Sequence, residues 1–367
     1  MSQQTNRSDA KMSVLGLFPW IDSSTIGGAE LSGNLAWRKI VLETDYRVDK
    51  ARLFCYAPSV KTHHSTEFPD AVVATSRATA VAAALRRSWQ PQQMFVWHLS
   101  LLKLLPFFRP TSAYVCLMLL GIEAWRHHDF VTRLLLHRVN LFLSISDHTW
   151  CRFLDNYPYL ARKPHQTVYL GVDSPVRSPT AKVAHPPAAL ILSRLARAED
   201  YKGHRELIAT WPLLLQRVPD AQLWIAGDGD LRLELEQLVQ AQGLQKQIHF
   251  FGRVSEEHKQ DLLARCRCLA MPSRGEGFGL VYLEAMRLGR PCLVSDCDAG
   301  REVINPPEAG LAVAPGNRLA MAEALIRLLT PGEEWEQWSE HARRRYESQF
   351  TAWHFQERLT KALELNI

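Results

Sequence analysis

Short runs of apolar residues recur along the chain, and segments of helical length separate them. In the first half the runs are Ser13–Phe18, Leu53–Tyr56, Met94–Trp97, Tyr114–Leu119, Leu141–Ile145 and Thr167–Tyr169. The turn Pro19–Gly28 follows the first run and leads into a helix from about Glu30. Strands alternating with helices predict parallel sheets of the α/β class. The pattern breaks at Asp173–Pro187, where Pro175, Pro179, Pro186 and Pro187 stand without apolar periodicity and read as a linker.

Beyond the break the alternation restarts. Ala189–Leu192, Gln222–Ala226, Ile248–Phe251, Cys268–Met271 and Pro291–Ser295 read as strands. Helices are expected over Gly203–Val218 despite Pro212, from about Leu231, from Ser255, and over Leu280–Leu288. A chain of 367 residues exceeds what one hydrophobic core usually supports, so two domains are expected, over 1–175 and 176–345. The remaining 346–367 contains Phe350–Leu365, whose apolar positions 350, 353, 355, 359 and 363 have helical period. Open α/β sheets bind ligands at the carboxyl ends of their strands, which makes a cleft between the domains the expected site.

Composition narrows the function class. Hydrophobic residues at 47% and charged residues at 22% suit a soluble globular enzyme. Met1–Lys11 has no apolar run of the secretory kind, and no stretch reaches the ~20 apolar residues that span a bilayer. The seven cysteines suggest no disulfide framework; Cys266 and Cys268 read as reduced packing residues, and a cytoplasmic location is expected. The net charge of +5 is uneven: Met1–Asp173 holds 19 Lys and Arg against 13 Asp and Glu, a balance of +6, and the remainder holds 24 against 25, or −1. A basic first half points to an anionic acceptor or an anionic membrane surface, unless it is ordinary solubility charge. No nucleic-acid motif is found, so nucleic acid is not an expected partner.

The chemistry concentrates in Met271–Asp296, MPSRGEGFGLVYLEAMRLGRPCLVSD. Gly275, Gly277 and Gly279 make a loop whose backbone can approach a ligand closely. The helix that follows stops at Gly289 with Pro291 beyond, and the amides at its start suit a diphosphate. Glu284 stacks with Leu280 and Leu288 on the apolar face, where a carboxylate needs partners or costs several kcal/mol (roughly). Ribose hydroxyls would satisfy it; so would a salt bridge to Arg274, Arg287 or Arg290. Glu276, on the loop, is positioned to accept hydrogen bonds from the hydroxyls of a sugar. Upstream, in LSRLARAEDYKGHREL, Arg194 follows a strand end and Lys202 precedes Gly203 at a helix start, where both can neutralise a diphosphate leaving group.

The pair Glu276 and Glu284 in EGFGLVYLE, preceded by SRL…YKG and WIAGDG, resembles the donor domain of the GT-B, family 4 retaining glycosyltransferases. The resemblance is strong over Leu190–Val303 and loose in the first half. It implies two Rossmann-like domains facing across a cleft, with a nucleotide-diphosphate sugar as co-substrate and no metal or other cofactor. It also implies that Glu276 contacts the donor sugar, that the amides of Phe278, Gly279 and Leu280 contact sugar and phosphate, and that Arg194 and Lys202 hold the diphosphate. Glu284 would hold the ribose, and Arg253 and Val254 in FFGRVSEE would lie nearest the base. Gly27 and Gly28 in TIGGAE resemble the family's glycine loop, and the terminal helix would return to the first domain. The expected reaction moves a hexose to a sugar or lipid-linked sugar acceptor; a sugar-nucleotide epimerase or a non-catalytic donor-binding subunit are the alternatives.

The chain departs from the family at Leu120, in LLGIEAW, where related enzymes often carry a histidine. His98, Glu123 and His127 are therefore the candidates for assisting an acceptor hydroxyl. Asp228-Gly-Asp230 and Asp296-Cys-Asp298 look like metal-binding DxD strings, but the first lies in a turn after a strand and reads as structural. Trp89–Arg109 mixes aromatic, aliphatic and basic residues and reads either as a core helix or as a segment peripheral on the inner membrane face.

Overall fold

The computed structural model describes residues 12–21, 28–42, 48–58, 65–86, 89–108, 112–173 and 182–364. The chain divides into two compact units, Met1–Tyr169 with Phe355–Ile367, and Leu170–His354. These divisions differ by a few residues from the boundaries at 175 and 345 that the proline run and the terminal periodicity suggest.

The N-terminal unit holds β1 (Met12–Phe18), α1 (Gly28–Leu42), β2 (Val48–Tyr56), β3 (Val72–Ala74), α2 (Arg77–Ala84), β4 (Gln93–Val96), β5 (Tyr114–Leu119), α3 (Phe130–Leu136), β6 (Leu141–Ser144), α4 (Asp147–Asn156) and β7 (His165–Thr167). Its strands pair in parallel in the order β3-β2-β1-β4-β5-β6-β7. Every residue of β4 and β6 is buried, which is why these strands read as unbroken apolar runs. Ser76, Asp129 and Ser146 start α2, α3 and α4 by accepting hydrogen bonds from amides of the first turn. Phe18 stacks on Trp97 at 5.4 Å, and Phe54, Trp89 and Phe108 form an edge-to-face trio.

Within the described residues, Trp89–Phe108 belongs to this core, and Arg109 lies outside them. Leu99–Phe107 is a 3-10 helix, and Trp89, Trp97, Leu101, Leu102, Leu105 and Phe108 are buried, so the interfacial reading of this segment is withdrawn. No helix among the described residues is long and apolar enough to cross a membrane.

The C-terminal unit holds β8 (Ala188–Leu192), α5 (His204–Leu215), β9 (Gln222–Ala226), α6 (Arg232–Ala241), β10 (Ile248–Gly252), α7 (Glu256–Arg265), β11 (Cys268–Met271), α8 (Leu280–Arg287), β12 (Cys292–Ser295), α9 (Gly300–Ile304), β13 (Gly310–Val313), α10 (Arg318–Leu329) and α11 (Glu333–Gln349). Its parallel sheet runs β10-β9-β8-β11-β12-β13. Cys266 and Cys268 are buried thiols, and burial pushes the Cys266 thiol up to about 12. The last helix, α12 (Ala352–Glu364), begins in this unit and runs into the N-terminal one. There Phe355 packs edge-on against Trp97, and Glu357 pairs with Lys39 at 3.3 Å.

Candidate functional site

In the C-terminal sheet, β9 and β10 lie on one side of β8 while β11, β12 and β13 lie on the other. The loops leaving β8 and β11 therefore diverge, and the crevice at a switch point of this kind is where open α/β sheets take ligands. Arg194 lies on the first loop; Ser273 to Gly279 form the second. Two contacts tie the second loop to the residues before α5. Arg274 N donates to Tyr201 O at 2.9 Å, and Lys202 Nζ donates to Glu276 Oε2 at 2.6 Å. Burial alone would lower the Lys202 pKa, but the Glu276 carboxylate raises it above its ordinary value, so the lysine stays charged.

Gly279 must be glycine. Its φ is +85°, and a Cβ there would lie 2.3 Å from the ring of Tyr282, itself fixed by its hydroxyl donating to Met271 O at 3.1 Å. No side-chain hydrogen bond caps α8 at Gly279 or α5 at Gly203, and an anion at either start would meet the positive end of a helix dipole. Phe278 is buried, and Leu280 opens α8. Arg194 is exposed and pairs with Glu199, while Arg274 pairs with Glu206. Each of the three cations here is thus held by a carboxylate of the chain.

Glu284 is turned away from solvent, with 14% of its side chain exposed, but its partner is none of the three arginines considered from sequence. Lys259 of α7 binds it at 3.0 Å and also meets Glu256 at 2.8 Å. Arg274 serves Glu206, Arg287 donates to Gln260 and to Asp173 O, and Arg290 donates to Ala264 O. Arg253 and Val254 follow β10 at the same end of the sheet. The carboxylates of Asp228 and Asp230 accept from the amides of Gly229 and Arg197, at 3.0 and 2.8 Å.

In the N-terminal unit the corresponding divergence lies between β1 and β4. Gly28 opens α1; Gly27 lies outside the described residues. His98 follows β4, and its Nδ1 accepts from the amide of Ser100 at 3.2 Å, which leaves Nε2 to carry the proton of the neutral ring. Burial, and then the nearby His128, lower its pKa. Glu123 Oε1 accepts from Leu120 N at 2.5 Å, and burial raises its carboxyl pKa. His128 Nε2 lies 2.8 Å from Glu123 O, whereas His127 is exposed. The histidine facing this turn is therefore His128, one residue along from the one singled out by sequence.

Residues 180–345 match the family described as Glycosyl transferases group 1. The C-terminal unit is a group 1 glycosyl transferase domain. The alpha-D-kanosaminyltransferase of Streptomyces kanamyceticus is 33% identical over 156 residues, 42% of this chain and 40% of that protein. The phosphatidyl-myo-inositol mannosyltransferase of Mycobacterium leprae is 37% identical over 132 residues, 36% of this chain and 34% of its own length. The chain therefore matches well under half of each of these two relatives. Likeness in fold extends much further. The apo lipopolysaccharide outer core galactosyltransferase WaaB superposes with a TM-score of 0.74 at 19% identity, over 97% of this chain and all of that one. Anabaena HepE in complex with UDP gives 0.75 at 18%, over 96% and 100%. The fold is GT-B.

In the group 1 domain, sequence named Asp298 only as part of a metal-binding string and did not single out His204. Asp298, 3% exposed, accepts from Glu276 N at 3.1 Å and from Gly300 N at 2.9 Å, while Ala299 N donates to Glu276 O. The second DxD string thus supplies a clip that fixes the backbone of Glu276. Burial, reinforced by the Glu276 charge, pushes the Asp298 carboxyl up to about 7. His204, fully buried beside Lys202, lies 3.2 Å from Ser193 Oγ and is pushed down to about 4 by burial. For Asp298 the available signal was the small Ala299-Gly300 pair that follows it, which lets a helix begin against the loop.

Proposed function

We propose that the chain is a retaining glycosyltransferase, moving a hexose from a nucleotide-diphosphate sugar to a sugar or lipid-linked sugar acceptor without a metal ion. The observation that carries the reading is the Lys202–Glu276 pair, 2.6 Å apart at the carboxyl-end crevice of the group 1 domain. A cation beside a carboxylate, at the start of two helices that no side chain caps, suits a ligand that joins a diphosphate to a polyhydroxylated ring. Lys202 and Arg194 neutralise the departing diphosphate, and Glu276 accepts from the sugar hydroxyls. Glu284 meets the ribose, sharing Lys259, and Arg253 and Val254 flank the base. The bond from the anomeric carbon to the phosphate oxygen breaks as the acceptor oxygen bonds on the same face. The acceptor proton passes to the leaving phosphate, so no basic side chain is required where Leu120 stands. Relatives that transfer kanosamine and mannose, and a fold neighbour crystallised with UDP, support the donor class.

Turnover of several nucleotide sugars by Glu276→Ala, Arg194→Ala and the parent protein tests this. Glu276→Ala is expected to lose about 10²-fold or more, as when a group aimed at transition-state charge is removed, and Arg194→Ala less, because it is exposed. Chelation of divalent ions is expected to leave the rate unchanged. Full turnover in both variants would rule the site out.

A further inference from the structure

We infer that Lys259 makes the donor site select ribonucleoside over 2′-deoxyribonucleoside diphosphates, by holding one oxygen of Glu284 and leaving the other to the ribose. This rests on the reading in which Glu284 meets the ribose, and it names the residue that sets what that contact selects. Lys259 reaches across from α7 and donates to Glu284 Oε1 at 3.0 Å, with 18% of its own side chain exposed. Glu284 Oε2 takes no hydrogen bond among the described residues and is not sealed from solvent. Burial alone would lower the Lys259 pKa, but the Glu284 and Glu256 carboxylates raise it above its ordinary value, so the ammonium stays charged. The first turn of α7 also disposes of the other cation near Glu284. Glu256, 2.8 Å from Lys259, accepts from Gln260 at 2.8 Å, and Gln260 in turn accepts from Arg287, which also donates to Asp173 O at 2.8 Å. Arg287 lies three residues beyond Glu284 on α8 and is thereby kept off it.

A carboxylate fixed in this way is an acceptor at a set place, and a vicinal diol brings two O–H donors to it together. A 2′-deoxyribose brings one. It displaces the water of a largely enclosed carboxylate and leaves part of its accepting capacity unmatched, which is where sites built around a hydroxyl discriminate. Lys259 touches no part of the ribose; it acts through Glu284 and is a positioning residue. Without it the carboxylate turns to Arg287 on its own helix, and both kinds of sugar then meet a poorly placed acceptor. Arg253 and Val254, read as flanking the base, stand just before Ser255, which caps α7. One helix start thus joins the segment beside the base to the residue that sets the ribose contact. The donors that fit are sugars carried on uridine, guanosine or adenosine diphosphate. Sugars carried on thymidine diphosphate, whose pentose is 2′-deoxyribose, do not.

Calorimetric titration of the full chain with UDP, GDP and ADP, each beside its 2′-deoxy counterpart, tests this in the parent, Lys259→Met and Lys259→Arg. For the base that binds tightest, the parent is expected to favour the ribonucleotide by about tenfold or more. Lys259→Met should bring that ratio to about threefold or less, chiefly by weakening the ribonucleotide, while Lys259→Arg keeps the charge and should stay within about threefold of the parent ratio. Far-UV circular dichroism separates lost selection from lost fold. Should the methionine variant not fold, Lys259→Gln, which still donates one hydrogen bond, takes its place with an intermediate ratio expected. A lysine that merely supports the fold would weaken both members of a pair alike, so an unchanged ratio in Lys259→Met overturns the proposal. A parent that binds a ribonucleotide and its deoxy form equally also overturns it, and leaves the donor site standing. A parent that binds none of the six nucleotides brings down the donor reading and this proposal together.

Discussion

At the switch point of the C-terminal sheet carboxylates meet cations: Glu276 with Lys202, Glu206 with Arg274, Glu199 with Arg194. At the switch point of the N-terminal sheet a histidine caps a backbone amide, and a carboxylate accepts from another. The folds repeat but the electrostatics differ. In the first arrangement each cation is paired with a carboxylate that an incoming anion could displace or share. The second holds an imidazole whose pKa burial lowers and a carboxyl whose pKa burial raises, hydrogen-bonding groups of a kind that suits the hydroxyls of an uncharged acceptor. Under the proposed transfer, the division of labour is between charge in one unit and polarity in the other.

The sharpest way to break the comparison is to remove charge from the charged unit. Lys202→Ala leaves the largely buried Glu276 carboxylate without its partner and takes one cation from the leaving group. A loss of about 10²–10³-fold in turnover, some 3–4 kcal/mol, is expected. Stability should fall too, because breaking a largely enclosed ion pair leaves an uncompensated charge. Lys202→Arg should recover more stability than rate. Turnover within threefold of the parent (roughly) in Lys202→Ala would show that the pair is only structural.

The two units were also unequally legible. In the C-terminal one, the glycines at 275, 277 and 279 and the stop at Gly289 fixed the loop and the helix, because such glycines answer local backbone demands. The inward turn of Glu284 followed from helical period. Its partner did not, because Lys259 is brought beside it by packing of α7 on α8 rather than by spacing. Asp298 was hidden for the same reason, its hydrogen bond reaching back to position 276. In the N-terminal unit, β3 spans only Val72–Ala74, too short for periodicity to register. Leu99–Phe107 and α3 are both mostly apolar with a single basic residue each, Lys103 and Arg133, and only the fold tells that the apolar side chains of the first are largely enclosed while Phe130, Val131 and Leu134 of the second protrude. His98 and Glu123 could be named from sequence; that His128 rather than His127 joins them depends on a turn geometry that no motif encodes.

A subtler test uses the clip on Glu276. The Asp298 carboxyl lies near 7 in the folded protein against an ordinary value of 3.8, so the folded state binds its proton more tightly than the unfolded chain does. The stability that this gives is complete below about pH 4 and is lost as pH rises through 7. Asp298→Asn has no such titration. The stability of the parent relative to this variant should therefore fall by up to a few kcal/mol (roughly) between pH 4 and 8, measured by urea unfolding at each pH. The variant should also weaken donor binding at every pH, since one of the two amides now faces an NH2 group. Parallel stability curves for the two proteins would show that Asp298 titrates normally and that the clip is not a buried charge.

The smallest effect is expected in the N-terminal unit. His98→Asn keeps a short side-chain acceptor for the amide of Ser100, and asparagine is a good cap, so stability should change by less than about 1 kcal/mol. What it removes is the Nε2 proton at the carboxyl end of β4. If the leaving phosphate takes the acceptor proton, the imidazole only orients the acceptor, and transfer should fall by about tenfold or less while donor hydrolysis is untouched. Burial and His128 already hold His98 neutral at pH 7, so parent and variant should share one pH profile near neutrality. A fall of about 10³-fold, with an acidic limb in the parent's profile that the variant lacks, would make His98 a general base. It would also erase the contrast between the two units, because proton transfer would then belong to the N-terminal unit as firmly as charge belongs to the other.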